Sequence, residues 1–284
     1  MMQSEPISSP HNSRIKETVA LLEKSRLRRE RALFAVEGRR ELEQCVEAGY
    51  RIRSVFFNPR ILPEAELGSV LARTGSAREA LCHAVTPEVY AKIAYREGTE
   101  GVVAVAEAKD HSPERITLPS DPLVLAVEKV EKPGNLGALL RTADACGADA
   151  VLVCDPLTDL YNPNLIRASL GAIFTCPIAV CSNEQALEWL RRHRIAVFTA
   201  QLQDSRPYYG TDMTGPCAIV MGSEARGLTD FWREAADARI SIPMRGRLDS
   251  LNVSVSAAVL CYEAVRQRIA HGNARFTHLW RNSD

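Results

Sequence analysis

The sequence predicts an α/β protein of two domains, with a mostly parallel sheet in its carboxyl-terminal half. Length is the first indication, because 284 residues suit two domains better than one. The second is rhythm: short apolar runs rich in Val, Ile and Leu alternate with segments of helical period. The third is where two of those runs stop. Runs 217–221 and 240–244 both lead into loops that contain glycine, at the presumed carboxyl edge of the sheet. Open α/β sheets bind their ligands at that edge.

Residues 1–12 read as a disordered polar tail. A helix starts at Ser13, its expected cap, with Val19, Leu22, Ser25 and Arg26 marking successive turns. The run 24–31 carries five basic residues and one acid. By itself it fits either a solvated helix face or a phosphate-contacting arm. Strand 32–36, helix 38–48 ending at Gly49, strand 53–57 stopped by Asn58-Pro59, and helix 63–73 follow. Strand 82–85, helix 87–93 opened by Thr86 and Pro87, and strand 101–107 complete a small α/β sandwich over 13–107. Residues 108–121, with Pro113 and Pro119 among polar neighbours, read as a linker.

The second domain, 122–284, opens on the apolar strand 123–127. Gly134-Asn135 is read as a turn and 136–146 as a helix with Leu136, Leu139, Leu140 and Ala143 on one face, closed by Gly147. Strand 150–154, a polar stretch, a short helix at 168–174, strand 177–180, a helix from Ser182 to Arg192 and strand 195–200 follow. A loop reaches Gly215, after which come the two runs named at the outset. The final helix, 254–270, aligns Val255, Val259, Tyr262, Val265 and Ile269, a stripe that suits either core or an interface.

Composition narrows the function classes. Hydrophobic residues make up 46% and charged residues 25%, an ordinary globular balance. With 35 basic and 35 acidic residues the net charge is zero, so a nucleic-acid surface must arise from local clustering. The eight cysteines are scattered in apolar contexts without a C-x-x-C pair, which fits reduced thiols in a cytoplasmic protein and no metal site. No apolar run approaches the roughly 20 residues of a membrane span, and the polar start does not resemble a signal peptide. Dinucleotide, P-loop, H-E-x-x-H and G-x-S-x-G signatures are all missing.

What remains is a set of loop residues. Taken singly, Asn135 reads as a cap, Arg141 as a surface or ion-pair residue, Glu224 as a capping carboxylate, and Ser250 and Asn252 as caps of the last helix. Their joint spacing is distinctive. Asn135-x-Gly137-x3-Arg141-Thr142-Ala143, Asn162-Pro163-Asn164-x2-Arg167-Ala168-Ser169, Gly222-Ser223-Glu224-x2-Gly227-Leu228 and Ile242-Pro243-Met244-x5-Ser250-Leu251-Asn252 occur in that order. Together they resemble the SpoU/TrmH family, RNA 2′-O-ribose methyltransferases of the SPOUT class. The V-E-G-R-R-E-L-E-Q-C stretch from Val36 is similar to the L30e-like substrate-binding domain fused to many members.

The resemblance implies a deep trefoil knot in the carboxyl-terminal domain, S-adenosyl-L-methionine as cofactor and a homodimer built through the last helix. It implies that Met221, Gly222, Ile242, Met244, Leu251 and Asn252 hold the cofactor. It also implies that Arg141, Asn135, Glu224, Ser250 and Asn252 carry catalysis, with Glu224 fixing the geometry of Arg141. Against that background Arg26, Arg28, Arg29, Arg245 and Arg247 become expected RNA contacts. The front domain favours rRNA over tRNA as substrate. A non-catalytic RNA- or ribosome-binding protein of the same fold is the alternative, as is a small-molecule enzyme using another nucleotide.

Overall fold

The computed structural model describes residues 5–73, 80–94 and 100–277. The chain forms two compact units: Met1–Asp110 together with Asp159–Thr175, and His111–Thr158 together with Cys176–Asp284. The sequence assigns 122–284 to one domain, whereas the segment Asp159–Thr175 leaves that domain to pack in the amino-terminal unit.

In the amino-terminal unit, β1 (Leu33–Glu37), β2 (Ile52–Phe57), β3 (Leu81–Ala84) and β4 (Val102–Glu107) form a four-stranded sheet in the order β1-β4-β2-β3. β4 pairs antiparallel with β1 and β2, and β3 runs parallel to β2. α1 (Ser13–Glu23) and α5 (Pro87–Ile93) cover one face through Ile15, Leu21, Val89 and Ile93. Thr86 caps α5, its hydroxyl accepting from Val89 N at 3.4 Å. Two expectations fail here. Asn12, not Ser13, caps α1, accepting from Arg14 N at 2.9 Å. The expected tail is not free of structure, because Ile7 bridges Val85 and donates to Ala84 O at 2.9 Å. Residues 1–4 of that tail lie outside the described residues.

On the other side, α3 (Arg39–Glu47) packs with α8 (Ala172–Thr175), and α7 (Pro163–Ala168) packs on β1. The sequence places one helix at 168–174, but the left-handed Leu170 (φ 50°) and Gly171 (φ 86°) divide it into two. Aromatic stacking anchors the segment: the Tyr161 ring lies 4.0 Å from that of Phe34, and Phe174 meets Tyr50 edge-on at 5.3 Å. Tyr161 Oη accepts from Lys109 N at 3.1 Å, and burial pushes its pKa up to about 12, so it stays a neutral phenol.

In the carboxyl-terminal unit all seven strands run parallel, in the order β7-β6-β5-β10-β8-β11-β9. They are β5 (Leu123–Glu128), β6 (Ala150–Cys154), β7 (Ile178–Cys181), β8 (Ala196–Ala200), β9 (Arg206–Pro207), β10 (Cys217–Met221) and β11 (Ala238–Ser241). β5, β6 and β10 are buried along their whole length, as their unbroken apolar runs require. α9 (Asn183–Arg192) and α10 (Asp230–Ala235) cover one face through Trp189, Leu190 and Trp232. Ser182 and Gln185 form a capping box at the start of α9.

α6 (Pro133–Cys146) and α11 (Val253–Ala270) pack against each other and against the sheet. α6 begins three residues earlier than the sequence indicates, because Pro133 occupies the first helical position instead of a turn. The stripe expected on α11 also divides. Val265 is buried, but Val255, Tyr262 and Ile269 are 48%, 48% and 44% exposed. The inward face is Val253, Ala257, Leu260, Cys261, Ala264 and the fully buried Arg268. The Arg268 guanidinium donates to the carbonyls of Asp121, Pro122, Met213 and Gly215 at 2.8–3.2 Å, tying the end of α11 to the strand entries.

Candidate active site

β10 emerges between β5 and β8, and its exit is shaped by glycine. A Cβ on Gly222 would overlap the Gly227 carbonyl carbon and the Leu228 nitrogen, so no other residue fits without opening the turn. Ser223 N donates to Gly227 O at 3.2 Å, and Gly227 N returns to Ser223 O at 2.9 Å. Gly227 closes this turn at φ +66°. The second loop leaves β11 at Ile242 and runs through Pro243 and Met244 to Asn252, the cap of α11.

These two loops and the end of β8 enclose a cavity of about 550 Å³. A smaller cavity of about 270 Å³ adjoins it, lined by Lys132 and Asn135 at the start of α6 and by Ser223, Glu224, Ala225 and Val253. Ser223, Glu224, Ala225 and Val253 border both. The larger volume lies in the range of small-molecule sites, and its lining mixes apolar residues such as Met221, Ile242 and Leu251 with the polar and charged Gln201, Glu224, Arg226 and Arg233.

Glu224 ties the walls together. One carboxylate oxygen accepts from Asn252 Nδ2 at 2.8 Å, and the other lies 3.1 Å from Lys132 Nζ. Asn252 Oδ1 in turn accepts from Ser254 N at 3.0 Å and Ser254 Oγ at 2.6 Å. A single carboxylate therefore fixes the turn after β10 to the amino ends of α6 and α11. A second, buried carboxylate ends β5. Glu128, the last residue of β5 and 1% exposed, accepts from Thr229 N at 2.8 Å, Thr229 Oγ at 2.6 Å and Asn183 Nδ2 at 2.8 Å. Asn183 Oδ1 accepts from Trp232 Nε1 at 2.8 Å, so every side chain of this cluster has a partner.

Comparison with known proteins matches this architecture. Residues 122–262 match the model of the SpoU rRNA Methylase family, and residues 12–104 match the MRM3-like substrate binding domain. The 23S rRNA (uridine(2479)-2′-O)-methyltransferase of Streptomyces viridochromogenes is 30% identical over 91% of both chains. The chain belongs to the SpoU rRNA methylase family. Two solved structures superpose along nearly the whole chain. An AdoMet-bound rRNA methyltransferase from Sinorhizobium meliloti is 29% identical with a TM-score of 0.84, covering 92% of this chain and 97% of the other. A crystal structure described as an RNA 2′-O ribose methyltransferase is 38% identical with a TM-score of 0.78, covering 93% and 99%.

In this SpoU fold Met221, Gly222, Ile242, Met244, Leu251 and Asn252 all border the large cavity, as do Glu224 and Ser250. Asn135 borders the small one, at the third position of α6 and not as its cap. Arg141 is different. It is exposed on α6 and lines neither cavity, and its side chain makes no hydrogen bond or ion pair among the described residues. Glu224, expected to fix the loop and the geometry of Arg141, is bonded to Asn252 of the loop and to Lys132 at the start of α6.

Among the expected RNA contacts, Arg28 requires correction. It is 4% exposed, bonded to Asp159 at 2.6 Å and to Leu21 O at 2.6 Å, and so is a structural cation. Arg26 is exposed and paired with Glu30 at 2.6 Å, while Arg29, Arg245 and Arg247 are exposed. Sequence reading missed Glu128 and Lys132. The signal for Glu128 is its position, an acid terminating a fully apolar strand. Lys132 carries none, because its partner is 92 residues away.

Proposed function

We propose that this chain methylates a ribose 2′-oxygen of ribosomal RNA in the cytoplasm, with S-adenosyl-L-methionine as donor. The observation that carries this reading is the cavity between the turn 222–228 and the loop 242–252, built from the residues of the SpoU motifs. The AdoMet-bound relatives support the cofactor. Backbone groups at Gly222, Ile242 and Leu251 would hold its adenosine part, with apolar contact from Met221 and Met244. Bound there, the cofactor supplies an electrophilic methyl group on a sulfonium leaving group.

The protein's task is then to position the 2′-hydroxyl and stabilise its anionic character. Asn135 and Glu224 line the small cavity beside the cofactor site, where a ribose would be oriented. Ser250 and Asn252 shape the loop between them. Arg141 acts through its charge, binding a neighbouring phosphate and stabilising the alkoxide. It is not the base, because a guanidinium does not release its proton.

We also propose a homodimer and a trefoil knot. Val255, Tyr262 and Ile269 recur every seven residues on the outer face of α11, a seam suited to a second copy. α6, which carries Arg141, packs on that same helix, so Arg141 would complete a site across the interface. The insertion of β10 between β5 and β8 is the topological feature that supports a threaded carboxyl-terminal segment. Arg26, Arg29, Arg245 and Arg247 would contact RNA phosphates.

The test is transfer of labelled methyl from S-adenosylmethionine to purified 23S rRNA, 16S rRNA and tRNA, followed by nucleoside mapping. A 2′-O-methyl nucleoside in rRNA is the expected product. Cofactor binding without transfer to any RNA would replace this reading with a binding protein, and label in tRNA alone would move the substrate.

A further inference from the structure

One charged side chain in the wall of the large cavity lies outside the SpoU motifs. Arg233, on α10, lines it together with Gln201 and Gln203 from the end of β8. Its Nε is buried and has no hydrogen-bond partner among the described residues. Its only ion pair there is weak: a terminal nitrogen lies 3.4 Å from Asp230, whose side chain is 85% exposed. The Arg233 side chain itself is 34% exposed. A partly sequestered guanidinium without a firm counter-ion therefore sits in a cavity wall. Buried donors without acceptors are rare and call for an explanation, and in a cavity wall a bound ligand group supplies one. The guanidinium fork matches a carboxylate in two parallel hydrogen bonds.

The ligand chemistry selects the group. S-Adenosylmethionine carries two cationic centres, the sulfonium and the α-ammonium, and one anion, the α-carboxylate. Of the acids on this wall, Glu224 is already engaged by Lys132 and Asn252, and Asp249 accepts from Ser250 Oγ at 3.1 Å. The wall's other arginine, Arg226, is exposed on the turn 223–227, where an RNA phosphate would meet it. Only Arg233 combines a charge with a buried unused donor. We propose that Arg233 is the anchor for the α-carboxylate of the bound cofactor. The inference rests on the cofactor reading given above and adds a residue that the SpoU motifs do not include.

The experiment is calorimetric titration of the full-length protein with S-adenosylhomocysteine and with its decarboxylated analogue, identical but for the carboxylate. Wild type, Arg233→Gln and Arg233→Lys are compared, with thermal melting to confirm that each is folded. Arg233→Gln is expected to weaken S-adenosylhomocysteine about tenfold or more, the range for a hydrogen bond to a charged group. The decarboxylated analogue should bind wild type and Arg233→Gln equally, and Arg233→Lys should recover part of the loss. Equal weakening of both ligands would overturn the proposal, making Arg233 a shaper of the cavity. Unchanged binding of both would overturn it too, and a raised KM for RNA alongside would assign Arg233 to a phosphate. Failure of wild type to bind S-adenosylhomocysteine would instead remove the cofactor reading on which the proposal stands.

Discussion

At Gly222 a single missing Cβ decides whether the turn 222–228, which we propose borders the cofactor, can close. The turn folds back so closely that Gly222→Ala must push Gly227 and Leu228 away. That displacement is expected to cost about 1–3 kcal/mol, the range for overpacking a closed site. It should also abolish measurable S-adenosylhomocysteine binding, read by melting with and without ligand. A melting temperature that still rises with ligand would remove the loop from the cofactor site. Arg141 presents the opposite case, a residue outside both cavities that we assign to the chemistry. Arg141→Lys should lower kcat by about 10²–10³, the range for losing one positioned donor, with S-adenosylhomocysteine affinity unchanged. Retained turnover in this variant would mean that any cation suffices at that position.

Elements are held in this protein by charges placed at their ends. Glu128 joins the end of β5 to Thr229, the residue that leads from the cofactor turn into α10. Glu128→Gln replaces one acceptor with a donor facing Thr229 N. Chemical denaturation should show a loss of about 1–3 kcal/mol, and cofactor affinity should fall with it. A variant as stable as wild type would show that the cluster adapts. α2 (Ser25–Arg31) divides its arginines between two tasks. Arg28→Ala leaves the sequestered Asp159 carboxylate without its counter-ion, holding only the hydrogen bond from Tyr161 N, and should destabilise the amino-terminal unit by about 3–5 kcal/mol. Neutralising Arg26 and Arg29 should instead leave stability unchanged and flatten the salt dependence of RNA binding. An unaltered slope would make that exposed face a solvated one.

For the molecule as a whole, the proposed site depends on the number of copies that assemble. The outer seam of α11 leaves three large apolar side chains in water, and Arg141 lies on the helix packed against α11. On the proposed dimer, replacing Tyr262 and Ile269 by Asp should shift sedimentation from dimer to monomer, with loss of methyl transfer. A wild-type protein that sediments as a monomer at working concentration would require Arg141 to act within its own chain.

The fold class and most elements were legible in the residues, because buried parallel strands need unbroken apolar runs and helix ends need caps or glycines. Strands 150–154 and 217–221 and the helix opened by Thr86 and Pro87 agree with the structure to the residue. The cavity-lining loops were legible too, since glycine and proline mark where the backbone must turn sharply. What the sequence could not reveal were pairings between distant positions. Arg28 reads as one more basic residue until Asp159 is folded against it, and Glu224 finds Lys132 across 92 positions. The stripe on α11 has the period of a core face, yet packing against α6 turned much of it to solvent. Periodicity reports which residues share a face of a helix; only the packed neighbours decide which face is covered.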